Sequence, residues 1–298
     1  MEAQVSRLVD KTFGSHIPRA PGGINLTHAT EKLQAASAST RLLIAVAGIP
    51  GSGKSTLASS VATGVNDLHH TKFHEQYPNS PAKSPSQPDI ASVVPLDGYH
   101  LTRKQLSEMP NAEEAVFRRG AAFTFDGDKY LKLVEEVRKP LGPETNTIYA
   151  PSFDHAVKDP VEDDIPIAPT TQVVIFEGLY TMLDCEPWRD AAKLMDELWF
   201  IDVPMDLAVA RLVKRHVASG ISSDPDHARI RVLESDMRNG REILEYRLPV
   251  QEIIQSVEDD SWKPTNVKKA EKEEVEEHRP RQDRHGSLAE LAEKGGGL

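Results

Sequence analysis

Along the chain, the apolar positions fall into short unbroken runs separated by longer stretches of helical spacing. Residues 41–47, Arg-Leu-Leu-Ile-Ala-Val-Ala, form one such run and end at Gly48. A run this short and apolar fits a strand buried on both faces, as in a parallel sheet. Comparable runs lie at 92–96, 173–176 and 198–201, with a last short one at 252–255. Between them the spacing turns helical, over 55–65, 128–138, 188–195, 207–218 and 226–239. Strands alternating with helices predict an α/β fold, a three-layer α/β/α arrangement around a parallel sheet of about five strands.

The flanks differ from this core. Residues 1–40 carry amphipathic spacing near 5–12 and 29–36 around a Pro/Gly turn at 18–23, which predicts a helical N-terminal leader. Residues 67–91 contain Pro78-Asn79-Ser80-Pro81 and Ser84-Pro85-Ser86-Gln87-Pro88, a composition that packs no core and predicts a flexible insertion. Residues 259–298 read as a charged tail, leaving 41–258 as the main domain.

Charge and cysteine content narrow the function classes. The formal net charge of -11 over 298 residues opposes binding to nucleic acid or to an acidic membrane, both of which need a basic surface. The lone Cys185 makes no intrachain disulfide, which suits a reducing compartment. No apolar run approaches the roughly 20 residues that span a bilayer. The first residues, Met1-Glu2-Ala3-Gln4-Val5, lack the apolar segment of a signal peptide. A cytoplasmic location is the expectation, and a homodimer is compatible with it.

The sharpest chemical signal is Gly48-Ile49-Pro50-Gly51-Ser52-Gly53-Lys54-Ser55-Thr56. It fits G-x-x-x-x-G-K-[ST] and sits between an apolar strand and a helix, where a phosphate-binding P-loop belongs. Glycines let successive N–H groups turn inward, and the following helix directs its positive end at the phosphates. Lys54 is placed to bridge the β- and γ-phosphates and Ser55 to offer its hydroxyl to Mg²⁺, so ATP and Mg²⁺ are the expected cofactors. The chain has no N-K-x-D guanine-reading motif and no L-S-G-G-Q signature.

Two carboxylates follow strands. Asp97-Gly98-Tyr99-His100 succeeds the run at 92–96, and Glu177-Gly178 succeeds the run at 173–176. Strand C-terminal ends line the ligand crevice of a parallel sheet. Asp97 is therefore placed to take the proton of an attacking hydroxyl, and Glu177 to serve Mg²⁺. Turn formation is the structural alternative for Asp97.

These segments, with Arg118-Arg119-Gly120-Ala121, Thr124-Phe125-Asp126, Ala150-Pro151-Ser152-Phe153-Asp154, Glu177-Gly178-Leu179-Tyr180, Pro187-Trp188-Arg189, Ile201-Asp202-Val203-Pro204 and Arg211-Leu212-Val213-Lys214-Arg215, resemble the uridine kinase, phosphoribulokinase and pantothenate kinase superfamily. Within it the chain looks most like the bacterial fructose-transport-system kinases and a fungal ATP-dependent kinase family. The resemblance implies a P-loop NTPase fold with a helical lid and transfer of the γ-phosphate of ATP to a hydroxyl of a small molecule. It implies Asp97 as catalytic base, Glu177 as a magnesium ligand, and Arg211 and Arg215 as lid arginines. Tyr99, His100, Arg118 and Asp154 fall on the substrate side. Phe153 stands where uridine kinases carry tyrosine, so the acceptor is not named. A P-loop ATPase and a nucleotide-binding regulatory module remain the alternatives.

Overall fold

The chain begins with α1 (Glu2–His16), then β1 (Leu42–Gly48), α2 (Lys54–Gln76) and β2 (Ala91–Pro95). Two short helices, α3 (Arg103–Ser107) and α4 (Ala112–Phe117), lead to α5 (Gly127–Arg138). Next come β3 (Ile148–Asp154), β4 (Asp159–Ile167), β5 (Val173–Glu177), α6 (Trp188–Lys193) and β6 (Glu197–Asp202). The last elements are α7 (Met205–Ala218), α8 (Pro225–Arg231), a π-helical turn at Val232–Asp236, α9 (Met237–Tyr246) and β7 (Glu252–Gln255). This computed structural model describes residues 1–16, 40–77 and 88–257. The helix expected at 29–36, the Pro/Ser stretch at 78–87 and the tail at 259–298 lie outside the described residues.

Five strands form one sheet in the order β2-β5-β1-β6-β7, every pairing parallel. Alternation along β1 shows why its run is unbroken. Leu43, Ala45 and Ala47 enter one core with Tyr130, Val134 and Val137 of α5 and Trp188 of α6. Leu42, Ile44 and Val46 enter the opposite core with Leu8 and Phe13 of α1 and Leu57, Val61 and Val65 of α2. Both faces are covered, which gives the three layers. The N-terminal helix is thus part of the core. A Cβ on Gly64 would stand 2.6 Å from Val9 Cγ2, so α1 and α2 pack closely. Lys11 pairs with Glu197 at 2.8 Å and Glu252 at 2.9 Å, fastening α1 to β6 and β7.

Arg41, just ahead of β1, is 1% exposed and donates to the carbonyls of Thr171, Val137 and Ala168. Its guanidinium satisfies the open C-terminal end of α5 and the turn before β5 together, a structural use of a buried cation.

One expectation is corrected. Residues 67–76 are helix, because α2 runs to Gln76 instead of stopping near residue 65. Leu68 packs on the core and Lys72 Nζ lies 4.1 Å from the Phe13 ring centre, so this stretch has partners that its composition hides. The structure adds an antiparallel hairpin, β3–β4, that polar residues and prolines conceal in the sequence. It lies beside the turn that follows β2, where a Cβ on Gly98 would overlap the Pro151 carbonyl.

Asn66 joins α2 to β2. Its Oδ1 accepts from the N–H groups of Ile90 and Ala91 at 3.0 and 2.8 Å, and its Nδ2 donates to the Ala91 carbonyl at 3.1 Å. Loss of this side chain strands backbone groups at the entry to an edge strand. Asn66→Ala is expected to lower stability by about 1–3 kcal/mol. Urea unfolding checks it: the midpoint falls with little change in slope, and an unchanged midpoint contradicts the assigned role.

Candidate active site

The parallel register sets the site. Val46 of β1 and Pro95 of β2 both pair with Glu177 of β5, so three strands end at one level. The phosphate loop, Glu177 and Asp97 therefore meet at one edge of the sheet. The loop turns through positive φ at Gly51 (81°) and Gly53 (98°), which disfavours any side chain there. A Cβ on Gly48 would stand 2.6 Å from Ser52 Oγ and 2.8 Å from the Ile201 carbonyl. One on Gly51 would stand 2.8 Å from the Ala208 carbonyl. The loop is thus wedged between β6 and α7, and α2 begins immediately after it. Pro50 lies against Gly240 of α9, and Thr56 is half-buried in the first turn of α2.

Lys54 Nζ folds back over the loop and donates to the carbonyls of Gly48 and Ile49 at 3.1 and 3.3 Å. Burial lowers its pKa, while Glu177 and Asp97 oppose that effect and Arg215 adds to it. Glu177 is 7% exposed, and its Oε1 accepts from Ser55 Oγ at 2.8 Å. Burial raises its pKa, with Asp97 adding to the rise and Lys54 and Ser55 countering it. A glycine-walled loop, an ammonium with only carbonyl partners and a hydroxyl–carboxylate pair make a donor set that fits a nucleotide phosphate with Mg²⁺. Ser55 and Glu177 would offer oxygen ligands to such a metal.

Asp97 stands in the short 3₁₀ turn Leu96–Tyr99 with its side chain 54% exposed. It is the solvent-facing acid of the group. His100 Nδ1 lies 2.9 Å from the Asp97 carbonyl oxygen and 3.9 Å from Oδ1. The His100 ring lies tilted between Phe125 and Phe153, at 4.0 and 5.1 Å between centres, and burial lowers its pKa.

Tyr99 and Asp154 are corrected. Tyr99 is 1% exposed and packs edge-on against Tyr130 in the core, so the 3₁₀ turn aims it away from the crevice. Asp154 ends β3, where its Oδ1 accepts from the N–H groups of Ala156 and Val157 at 2.7 and 2.9 Å. These bonds hold its carboxyl below the usual carboxylate range and shape the hairpin turn. Arg118 is buried against α9, where its Nη2 donates to Asn239 Oδ1.

The two α7 arginines divide. Arg211 Nη1 donates to the Gly51 carbonyl at 3.2 Å and Ser256 Oγ at 2.8 Å, and Nη2 donates to the Val257 carbonyl at 3.1 Å. It clamps the phosphate loop to the segment after β7 instead of standing free in a lid. Arg215 makes no such tie among the described residues, and its charge acts on Lys54, Glu177 and Asp236. His216 beside it is buried, with Nε2 3.6 Å from Asp236 Oδ2 in the π-helical turn. No helix among the described residues is long and apolar enough to cross a membrane.

Comparison with known proteins decides what this arrangement is related to. Residues 43–224 match the Phosphoribulokinase / Uridine kinase family. The chain belongs to that family. The ATP-dependent kinase-like protein notR' of Aspergillus versicolor is 53% identical over 159 residues, spanning 53% of this chain and 92% of that protein. A solved Silicibacter protein assigned as a fructose transport system kinase is 28% identical, with a TM-score of 0.60 over 84% of this chain and 98% of its own. YFH7 of Saccharomyces cerevisiae shares the fold, with a TM-score of 0.69 at 23% identity over 86% of this chain and 99% of its own. The family match and the first two of these relatives support ATP-dependent kinase activity.

Sequence reasoning passed over several residues that shape this family member's site. Tyr180 donates through its hydroxyl to Glu242 Oε2 at 3.1 Å. Arg119 donates to the carbonyls of Lys158 and Leu101 and pairs with Asp159 at 2.9 Å, holding the hairpin to the turn that carries His100. Asn239-Gly240 inside a helical stretch was the available signal, since both residues weaken a helix without a compensating use.

Two outcomes are expected here. Lys54→Ala removes tight ATP·Mg²⁺ binding in calorimetric titration while the circular dichroism spectrum is retained. Undiminished affinity would contradict the loop assignment. The second concerns His216, whose pKa is lowered to about 4, first by burial and then by Arg215 and Arg231. A base held below its ordinary pKa stabilises the fold above pH 6.5, and that contribution is lost as pH falls through about 4. Burial raises the Asp236 pKa, which acts in the opposite sense. His216→Gln should therefore show a shallower loss of thermal stability than the wild type between pH 6.5 and about 4. Parallel acid limbs would contradict it.

Proposed function

We propose that the protein transfers the γ-phosphoryl group of ATP to a hydroxyl of a small metabolite. The observation that carries this reading is the division of labour between two carboxylates at one sheet edge. Glu177 is buried and bonded to Ser55, whereas Asp97 is exposed and still within electrostatic reach of Lys54 and Glu177. The buried acid suits a metal or a second positive group. The exposed one suits a substrate that arrives from solvent.

In the forward step the acceptor oxygen bonds to the γ-phosphorus and the bond from that phosphorus to the ADP oxygen breaks. Asp97 orients the hydroxyl and accepts its proton. Lys54 and the N–H groups of the loop offset the charge on the phosphates, and Arg215 adds positive charge from α7. Ser55 and Glu177 would hold Mg²⁺, which when bound neutralises phosphate charge. Arg211 keeps the loop rigid through the Gly51 carbonyl, so its contribution is positioning. The β3–β4 hairpin, held by Arg119, walls the acceptor side beside His100.

Asp97→Asn keeps shape and hydrogen-bonding reach but not basicity. It should bind ATP almost normally and turn over about 10²–10⁴-fold more slowly with the true acceptor. Wild-type ADP release should also be slow until an acceptor is supplied. Full turnover in Asp97→Asn, or rapid hydrolysis that no metabolite accelerates, would contradict the reading. The second result would favour a P-loop ATPase.

A further inference from the structure

Arg118 is a buried cation that the fold leaves largely unpaid. It is 6% exposed, its Nη2 donates to Asn239 Oδ1, and its Nε is buried with no hydrogen-bond partner. Among the described residues no carboxylate lies within ion-pairing distance of it. Two other arginines show what a structural guanidinium looks like in this chain. Arg41 donates to three backbone carbonyls. Arg119, next in sequence, also has a buried Nε without a partner, but it pairs with Asp159 and donates to two carbonyls. Arg118 has one neutral amide oxygen. A buried charge without a counter-charge is costly, and such groups are kept where something else supplies the partner.

The surroundings place this cation beside the phosphate loop. Asn239 is 3% exposed and is followed by Gly240, where a Cβ would stand 3.3 Å from Ile49 Cβ and 3.4 Å from Pro50 Cδ. Arg119 reaches the carbonyl of Leu101, the residue after His100, so the turn carrying Arg118 also adjoins the Asp97 segment. Glu242 of α9 accepts from the Tyr180 hydroxyl. Tyr180 also feels the Arg118 charge. Asn239 presents its Oδ1 to Arg118, which leaves its Nδ2 as a second donor at the same place.

We infer that Arg118, with Asn239 beside it, binds an anionic group on the phosphoryl acceptor, either a carboxylate or a phosphate. The planar guanidinium fork matches both anions. The inference rests on the kinase reading above and narrows it. The acceptor is an anionic alcohol, a hydroxy acid or a sugar phosphate, and not a neutral sugar or nucleoside.

The test measures ADP release by the full chain with three acceptor pools: neutral sugars and nucleosides, hydroxy acids, and sugar monophosphates. One charged pool is expected to stimulate release, and which one identifies the source of the anion. Arg118→Met should then raise the KM for that acceptor about 10²-fold, leaving the KM for ATP unchanged, and Arg118→Lys should recover part of the loss. Asn239→Asp is the second variant, for the case where Arg118→Met does not fold. It supplies the missing counter-charge, so it should keep or raise the thermal midpoint while raising the acceptor KM. Stimulation by the neutral pool, or an unchanged acceptor KM in a folded variant at either position, overturns the inference. If no pool stimulates release, the kinase reading fails separately. Thermal shift with glycolate and with inorganic phosphate then decides the anion site. A rise in the wild type that Asn239→Asp lacks supports the site, and no rise in the wild type, or an equal rise in both, overturns it.

Discussion

The site depends on two opposite charges brought together at the sheet edge, Lys54 on the phosphate loop and Glu177 at the end of β5. Burial disfavours the charged form of each, and each partly restores the other. Neither would be tolerated as easily alone. What keeps them together is backbone register, since β1 and β5 pair with Val46 opposite Glu177. A shift of one residue would turn Glu177 toward the other face and separate it from Ser55. The sheet therefore fixes the electrostatics, and the loop glycines then fix how closely a phosphate can approach.

Around that pair the molecule sorts its remaining charges by task. Arg211 ties the loop to the chain after β7, while Arg215 stays within electrostatic reach of the buried pair. Arg119 fastens the hairpin, and Arg118 remains without an acid. His216 and Asp236 meet where α7 faces the π-helical turn, a local irregularity of the kind often found near functional sites. The helical segment after β6 thus brings a charged group against the phosphate loop through Arg211 and an amide to Arg118 through Asn239.

Much of this was legible in the sequence because its physics is local. The strands of the parallel sheet are short apolar runs, and the phosphate loop has its glycines at fixed spacing between a strand and a helix. Asp97 and Glu177 were legible because a strand end is a directional feature. The hairpin was not, because Asp159–Ile167 carries acids and prolines on a mostly exposed ribbon and buries too little to show a period. The reach of α2 to Gln76 was hidden by its polar second half, whose partners Phe13 and the β2 entry are distant in sequence. Tyr99 and Asp154 were misplaced for a related reason. A motif says which residues cluster, but a 3₁₀ turn and a hairpin turn decide where each side chain goes. Arg118 was placed on the substrate side by its motif, but its burial and missing acid became visible only in the fold.

The central claim is that the phosphoryl group leaves ATP for an organic oxygen. The most direct measurement follows ATP radiolabelled at the γ-phosphate, incubated with the protein, Mg²⁺ and a fractionated metabolite extract, and separates the products by chromatography. The account predicts label in an organic phosphate ester, with little inorganic phosphate formed when the extract is omitted. Label recovered only as inorganic phosphate, at the same rate with and without the extract, would contradict it.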